Sequence, residues 1–135
     1  MRREHINPDG LFQHPSFTRI VSVSGAMRLI FISGQTPTDE NYKVVAEGDY
    51  AGQYRQVMDN LGVQLRAAGA TWDDVVYRRI FTLDVDALIA ALRAPEARGY
   101  WNAETPPGST LVGVTRLSDP AFLVEIDLQA IVAAD

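Results

Sequence analysis

The stretch Leu123-Val124-Glu125-Ile126-Asp127-Leu128-Gln129-Ala130-Ile131-Val132 decides how this chain folds. Val124, Ile126, Leu128, Ala130 and Val132 occupy alternate positions, so an extended strand turns all five to one face. Leu123, Glu125, Asp127, Gln129 and Ile131 turn to the other. The uniformly apolar face calls for helices packed over it. The second face mixes carboxylates with apolar residues, which suits either plain solvent or a subunit interface that encloses a polar pocket.

The rest of the chain supplies the covering layer. Tyr50, Tyr54, Val57, Met58, Leu61, Leu65 and Ala68 recur at helical spacing, with Asp49 favouring the N-terminal end of the dipole and Gly69 placed to stop the helix. Arg19–Val23 and Leu29–Ser33 read as two short strands joined by a turn at Ser24-Gly25-Ala26, which predicts a hairpin. Val75–Leu83 is rich in β-formers and predicts a third strand. On it, Arg78 and Thr82 alternate with Tyr77, Arg79 and Phe81. Asp84 or Asp86 caps a second helix over Ala87–Leu92, and Pro95 either breaks it or starts its continuation. Thr105-Pro106-Pro107-Gly108 ends all helix. Ser109–Thr115 and Leu123–Val132 are the last two strands, joined through Ser118-Asp119-Pro120. The order β-β-α-β-α-β-β predicts an α+β fold, a single mixed sheet with two helices on one face. It forms one domain over 1–135, with 1–16 an irregular N-terminal segment.

Length and composition narrow the function. A chain of 135 residues, 47% hydrophobic and 21% charged, holds one core and is not a disordered or low-complexity sequence. Its apolar runs fall far short of the roughly 20 residues that span a bilayer. Behind Met1-Arg2-Arg3 there is no apolar stretch of a secretory leader, so the expected location is cytoplasmic. No cysteine is present, which removes disulfides, thiolate nucleophiles and sulfur-ligated metals. The net charge is −5, and a nucleic-acid or membrane partner is not expected. Lys43 is the only lysine and sits in a turn, a poor place for Schiff-base chemistry. His5 and His14 lie in the irregular lead segment, where a surface role outweighs metal binding. No cofactor motif occurs.

What remains for chemistry is a set of strand ends and loops. Ser33-Gly34-Gln35 follows a strand, and Gly34 can expose its backbone N–H to a ligand. Ser109-Thr110 offers hydroxyls on a segment stiffened by two prolines. The plainer account makes both segments mere turns. Glu125, between Val124 and Ile126, must be paired, solvated or raised in pKa: a general acid or base in one case, an ion-pair partner of Arg78, Arg79 or Arg116 in the other. Tyr100 and Trp101, adjacent aromatics at a helix end, are expected in the core rather than in a pocket.

Five segments in order resemble the Rid/YjgF family, the small trimeric proteins also called reactive intermediate or imine deaminase A-like and endoribonuclease L-PSP-like. They are Phe31-Ile32-Ser33-Gly34-Gln35-Thr36-Pro37; Gln53 and Gln56 with Asn60-Leu61 and Leu65-Arg66-Ala67-Ala68-Gly69-Ala70-Thr71; Asp74-Val75-Val76; Pro106-Pro107-Gly108-Ser109-Thr110-Leu111-Val112; and Leu123-Val124-Glu125-Ile126-Asp127. The resemblance spans roughly residues 17–132. It implies a chorismate-mutase-like fold and a homotrimer with a small-molecule pocket at each subunit interface. In the best-known branch it also implies hydrolysis of amino-acid-derived enamines and imines to 2-oxo acids and ammonia.

Glu125 falls on the family glutamate that positions the attacking water, and Gly34 on the loop glycine. Ser109 stands where the family has the arginine that grips the substrate carboxylate. Leu111 replaces a frequent cysteine, and Phe17 or Ile20 lies near the usual tyrosine. A serine supplies neither the charge nor the fork of a guanidinium. The loss is worth roughly 2–5 kcal/mol in a desolvated pocket, or roughly 30- to 4,000-fold in rate. The resemblance therefore implies a branch other than standard 2-aminoacrylate deaminases. The expected catalytic residue is Glu125, and the expected substrate-binding residues are Ser33, Gly34, Ser109, Thr110 and Leu111. Arg78 and Arg79 are alternative anchors, although surface or interface pairs are the plainer expectation for both. The expected activity is water-assisted hydrolysis, deamination or tautomerisation of a small imine, enamine or carbonyl metabolite without a cofactor. The alternative is a non-catalytic small-molecule-binding or protein-stabilising trimer.

Overall fold

In the computed structural model, which describes residues 1–134, the elements in chain order are β1 (Arg2–Ile6), β2 (Ile20–Ser24), β3 (Met27–Gln35), α1 (Tyr50–Ala67), β4 (Val75–Thr82), α2 (Val85–Leu92), β5 (Gly108–Gly113) and β6 (Val124–Ala133). Strands β3-β6-β4-β5 make a four-stranded mixed sheet, antiparallel except for the parallel pair β4-β5. The alternation along β6 sorts as its sequence requires. Val124, Ile126, Leu128 and Ala130 are buried, while Glu125, Asp127 and Ile131 are half-buried and Gln129 is exposed on the other side. Among the described residues no helix is long and apolar enough to cross a membrane.

Both helices cover the apolar face. Helix α1 sets Val57, Met58 and Leu61 against the sheet with no exposed surface, each worth roughly 1.5–3 kcal/mol of burial. Its first turn is closed by the Asp49 carboxylate, which accepts from the Gly52 N–H at 3.1 Å. Its end is turned by Gly69 at φ +74°, a backbone region that glycine enters without penalty. Gln53 fixes the helix to the start of β6. Its Nε2 donates to the Ala121 carbonyl at 2.9 Å, and its Oε1 accepts from the Leu123 N–H at 2.8 Å. Asp84, not Asp86, caps α2 by accepting from the Ala87 N–H at 3.0 Å. Pro95 ends α2 and opens a separate 3-10 turn over Pro95–Ala97.

Two expectations for the N-terminal region are corrected. Residues 1–16 are not irregular throughout, because Arg2–Ile6 is a strand paired antiparallel with β2. The expected hairpin does not form either: the chain turns at Gly25, but β2 pairs with β1 and β3 pairs with β6. The cause is that β1 carries no apolar alternation to read. Backbone pairing holds it, together with the Arg3 guanidinium, which donates to the carbonyls of Asp73 and Ile131.

Candidate functional site

Side-chain alternation on the two middle strands and on β5 divides the expected site residues between two faces. On β4, Arg78, Ile80 and Thr82 turn toward the helices, and Tyr77, Arg79 and Phe81 turn to the open face. On β5, which runs parallel with Arg78 opposite Ser109 and Ile80 opposite Leu111, the odd positions follow Arg78 and the even ones follow Arg79.

The open face holds Glu125. Strand β3 carries one residue more than β6 between the pairs Ile32–Leu128 and Gln35–Ile126, so Ser33-Gly34 forms a bulge opposite Asp127. The Glu125 carboxyl lies directly over Gly34. A Cβ there would overlap Oε2 and stand 3.0 Å from Cδ, so glycine is needed for the close approach, not for its φ. Burial and, second, the neighbouring Asp127 charge raise the Glu125 pKa above its ordinary value. Asp127 accepts from Arg79, with Nη2 at 2.7 Å and Nε at 3.1 Å from Oδ2. This is the plain ion pair expected of Arg79, and it leaves Glu125 without a basic partner among the described residues. Thr110 also faces this side, its hydroxyl bonded to the Tyr77 hydroxyl. Around these polar groups, Phe31 is 72% and Leu29 54% exposed.

Ser109 and Leu111 turn the other way, into a cleft of about 780 Å³ between the outer strand β5, the end of α2, residues 97–103 and the lead segment 14–17. The lead segment is stapled in place by Thr18, whose N–H donates to the Pro107 carbonyl at 3.0 Å and whose hydroxyl donates to that of Pro106. Phe17 thus becomes a wall of the cleft. Arg78 lies in the floor, 7% exposed. Its Nε donates to the Ser109 hydroxyl at 3.0 Å and its Nη2 to the Ser16 carbonyl at 2.7 Å, and its guanidinium carbon sits 4.7 Å from the centre of the Trp101 ring. Among the described residues of one chain Arg78 makes no ion pair.

Tyr54 and Trp101 were not legible as pocket residues. Tyr54 belongs to the core stripe of α1 and only its end reaches the cleft. Trp101, expected in the core, meets Trp72 there with the rings near a right angle and also lines the cleft, where Arg78 lies over its ring. Tyr100, its neighbour, stays with the core and donates to Asp59 Oδ1 at 3.2 Å.

The comparisons agree with this architecture. The family model described as endoribonuclease L-PSP matches residues 13–132. A RutC family protein of Synechocystis is 35% identical over 103 residues, covering 76% of this chain and 77% of the relative. The 3-aminoacrylate deaminase RutC of Acinetobacter baylyi is 36% identical over 84 residues, or 62% of this chain and 65% of that protein. Among solved structures, YyfB of Yersinia pestis, described as a Rid family protein of unknown function, superposes with a TM-score of 0.82 at 30% identity, covering 98% of this chain and 100% of that one. With the family model spanning nearly the whole sequence and a matching fold beneath it, this chain belongs to the Rid/YjgF family.

Proposed function

We propose that the chain is a Rid-type hydrolase that deaminates a small imine or enamine, or acts on a related carbonyl metabolite, other than 2-aminoacrylate. The observation that carries this reading is the Glu125 carboxyl, held over the Gly34 bulge with a raised pKa and no basic partner. A base of that kind is suited to take a proton from water. The water oxygen bonds to the imine carbon while its proton passes to Glu125. Glu125 returns that proton to the nitrogen, giving a neutral carbinolamine; the hydroxyl proton then passes through Glu125 to the nitrogen as the C–N bond breaks, and a carbonyl compound and ammonia leave.

Within one chain, Glu125 and the cleft lie on opposite faces of the sheet, so a pocket that uses both takes its carboxylate from a second copy. The exposed Phe31 and Leu29, on the same open face opposite Gln129 and Ile131, support such an assembly, which in this family is a trimer. The test generates imines in situ from amino acids and compares wild type with Glu125→Gln and with Leu111→Trp, which fills the cleft. Each variant alone is expected to lose at least about 100-fold in turnover with the trimer intact. Mixing the two by unfolding and refolding is expected to restore about a quarter of the sites, those that combine an intact cleft with an intact glutamate. Turnover retained by Glu125→Gln, or no recovery on mixing, rejects the proposal.

A second reading, a non-catalytic small-molecule-binding or protein-stabilising trimer, is favoured by Ser109 at the arginine position. It predicts ligand-dependent thermal stabilisation without product in wild type and Glu125→Gln alike.

A further inference from the structure

Arg78 is the one charged residue among the buried residues described, and no carboxylate of the described residues of its own chain lies within ion-pair distance of it. Burial works against its charge, yet a guanidinium stays protonated in proteins. Its protein partners are a serine hydroxyl, one carbonyl and an indole face, all neutral, and its Nη1 donates to no described residue. A buried cation left this way is costly unless something else balances it.

The lining of the cleft shows the sign of what would. Arg78 in the floor is joined by Arg93 and Arg98 nearer solvent, while among the described residues of one chain no Asp or Glu lines the cleft, and the carboxyl that a second copy would bring, Glu125, is pushed toward its neutral form by burial. The molecule carries −5 overall, so this concentration of positive charge runs against its composition. The rest of the wall is apolar, with Phe17, Ile89, Leu92, Trp101 and Leu111.

We infer that Arg78 is the anion anchor of the cleft, and that its ligand is an organic monocarboxylate with a sizeable apolar body. Oxygens of the carboxylate meet the free edge of the guanidinium and the Ser109 hydroxyl. The body lies along Trp101, Leu92 and Ile89, and Arg93 and Arg98 draw the anion in. A single buried guanidinium balances one negative charge, which favours a carboxylate over a phosphate dianion. The volume of about 780 Å³ exceeds what a three-carbon acid fills and sits in the range of sites for larger metabolites. The anchoring charge therefore comes from β4 although β5 presents only a serine. The inference rests on the reading of the cleft as the ligand site and gives that site its substrate class.

The test is binding, not turnover, with two stable probes of one shape: 4-phenylbutanoate and its neutral amide, followed by Trp fluorescence and calorimetry on the assembled protein. Wild type is expected to bind the acid at least about 10-fold more tightly than the amide, with the preference weakening in salt. Arg78→Gln is expected to lose that preference and Arg78→Lys to regain part of it. Should Arg78→Gln not fold, Ser109→Ala, whose change is one hydroxyl, is expected to fold and bind the acid several-fold more weakly. Equal binding of acid and amide by wild type overturns the inference, as does acid binding unchanged in Arg78→Gln, or in Ser109→Ala where only that variant folds. Failure to bind either probe overturns it too. Wild type itself separates the two proposals: tighter binding of the acid than of the amide with no turnover of any imine removes the hydrolase and leaves the anion site, whereas turnover with equal binding of acid and amide removes the anion site and leaves the hydrolase.

Discussion

Gly34 and Glu125 show how a single missing Cβ places a carboxylate. Gly34→Ala is expected to push the Glu125 side chain off the bulge, with little loss of stability because the displaced atoms are the far end of a flexible side chain. Activity should fall at least about 10-fold while the thermal midpoint moves by only a few degrees, read by imine turnover and calorimetry. The raised Glu125 pKa fixes the direction of the pH dependence. A base must be ionised, so kcat/KM rises as pH passes upward through the raised value. Asp127→Asn removes the second cause of the shift and should move that limb to lower pH, while burial, the larger cause, keeps it above the ordinary carboxylate range. For folding the sign is opposite. Protonated Glu125 carries no penalty below the ordinary pKa, and the cost appears as pH rises through the raised one, so Glu125→Gln should gain on wild type toward neutral pH. The half-buried place of Glu125 was legible in sequence, because it sits inside an apolar strand. The burial of Arg78 was not: Arg78 and Arg79 are neighbours of one type, and the register of β4, irregular between Val75 and Tyr77, turns Arg78 to the helices.

At the scale of elements, the connection between α1 and β6 depends on Gln53, fully buried and bonded at both ends. Gln53→Leu keeps the volume but strands the Leu123 N–H and the Ala121 carbonyl. A loss of about 2–4 kcal/mol is expected in urea denaturation, with the slope unchanged. Helix α1 and strand β6 were readable because each repeats one period over many residues, and their ends agree with the structure to within a residue. The N-terminal ribbon was not readable. Arg2-Arg3-Glu4-His5 has no apolar period, and its partner β2 offers only five residues, so the pairing is decided by contacts 14–22 positions away. The cleft was hidden for a related reason, since its walls come from 14–17, 97–103 and β5, segments that periodicity does not join.

At the scale of the whole molecule, the open face combines exposed Phe31 and Leu29 with the Arg79–Asp127 pair, a mixture typical of an interface core ringed by polar groups. Phe31→Asp puts a charge at the most exposed apolar residue of that face. It should convert the proposed trimer to a monomer in size-exclusion chromatography with light scattering, while far-UV circular dichroism stays unchanged; a trimer that survives the change places the interface elsewhere. The outer strand β5 serves both regions at once. Ser109 and Leu111 belong to the cleft and Thr110 and Val112 to the open face, so neighbouring codons answer to different demands. Under the proposed assembly, substitutions at 109 and 111 act on the lining of the cleft and those at 110 and 112 on the face that copies would share. One six-residue strand thereby offers two surfaces whose residues can be exchanged one set at a time.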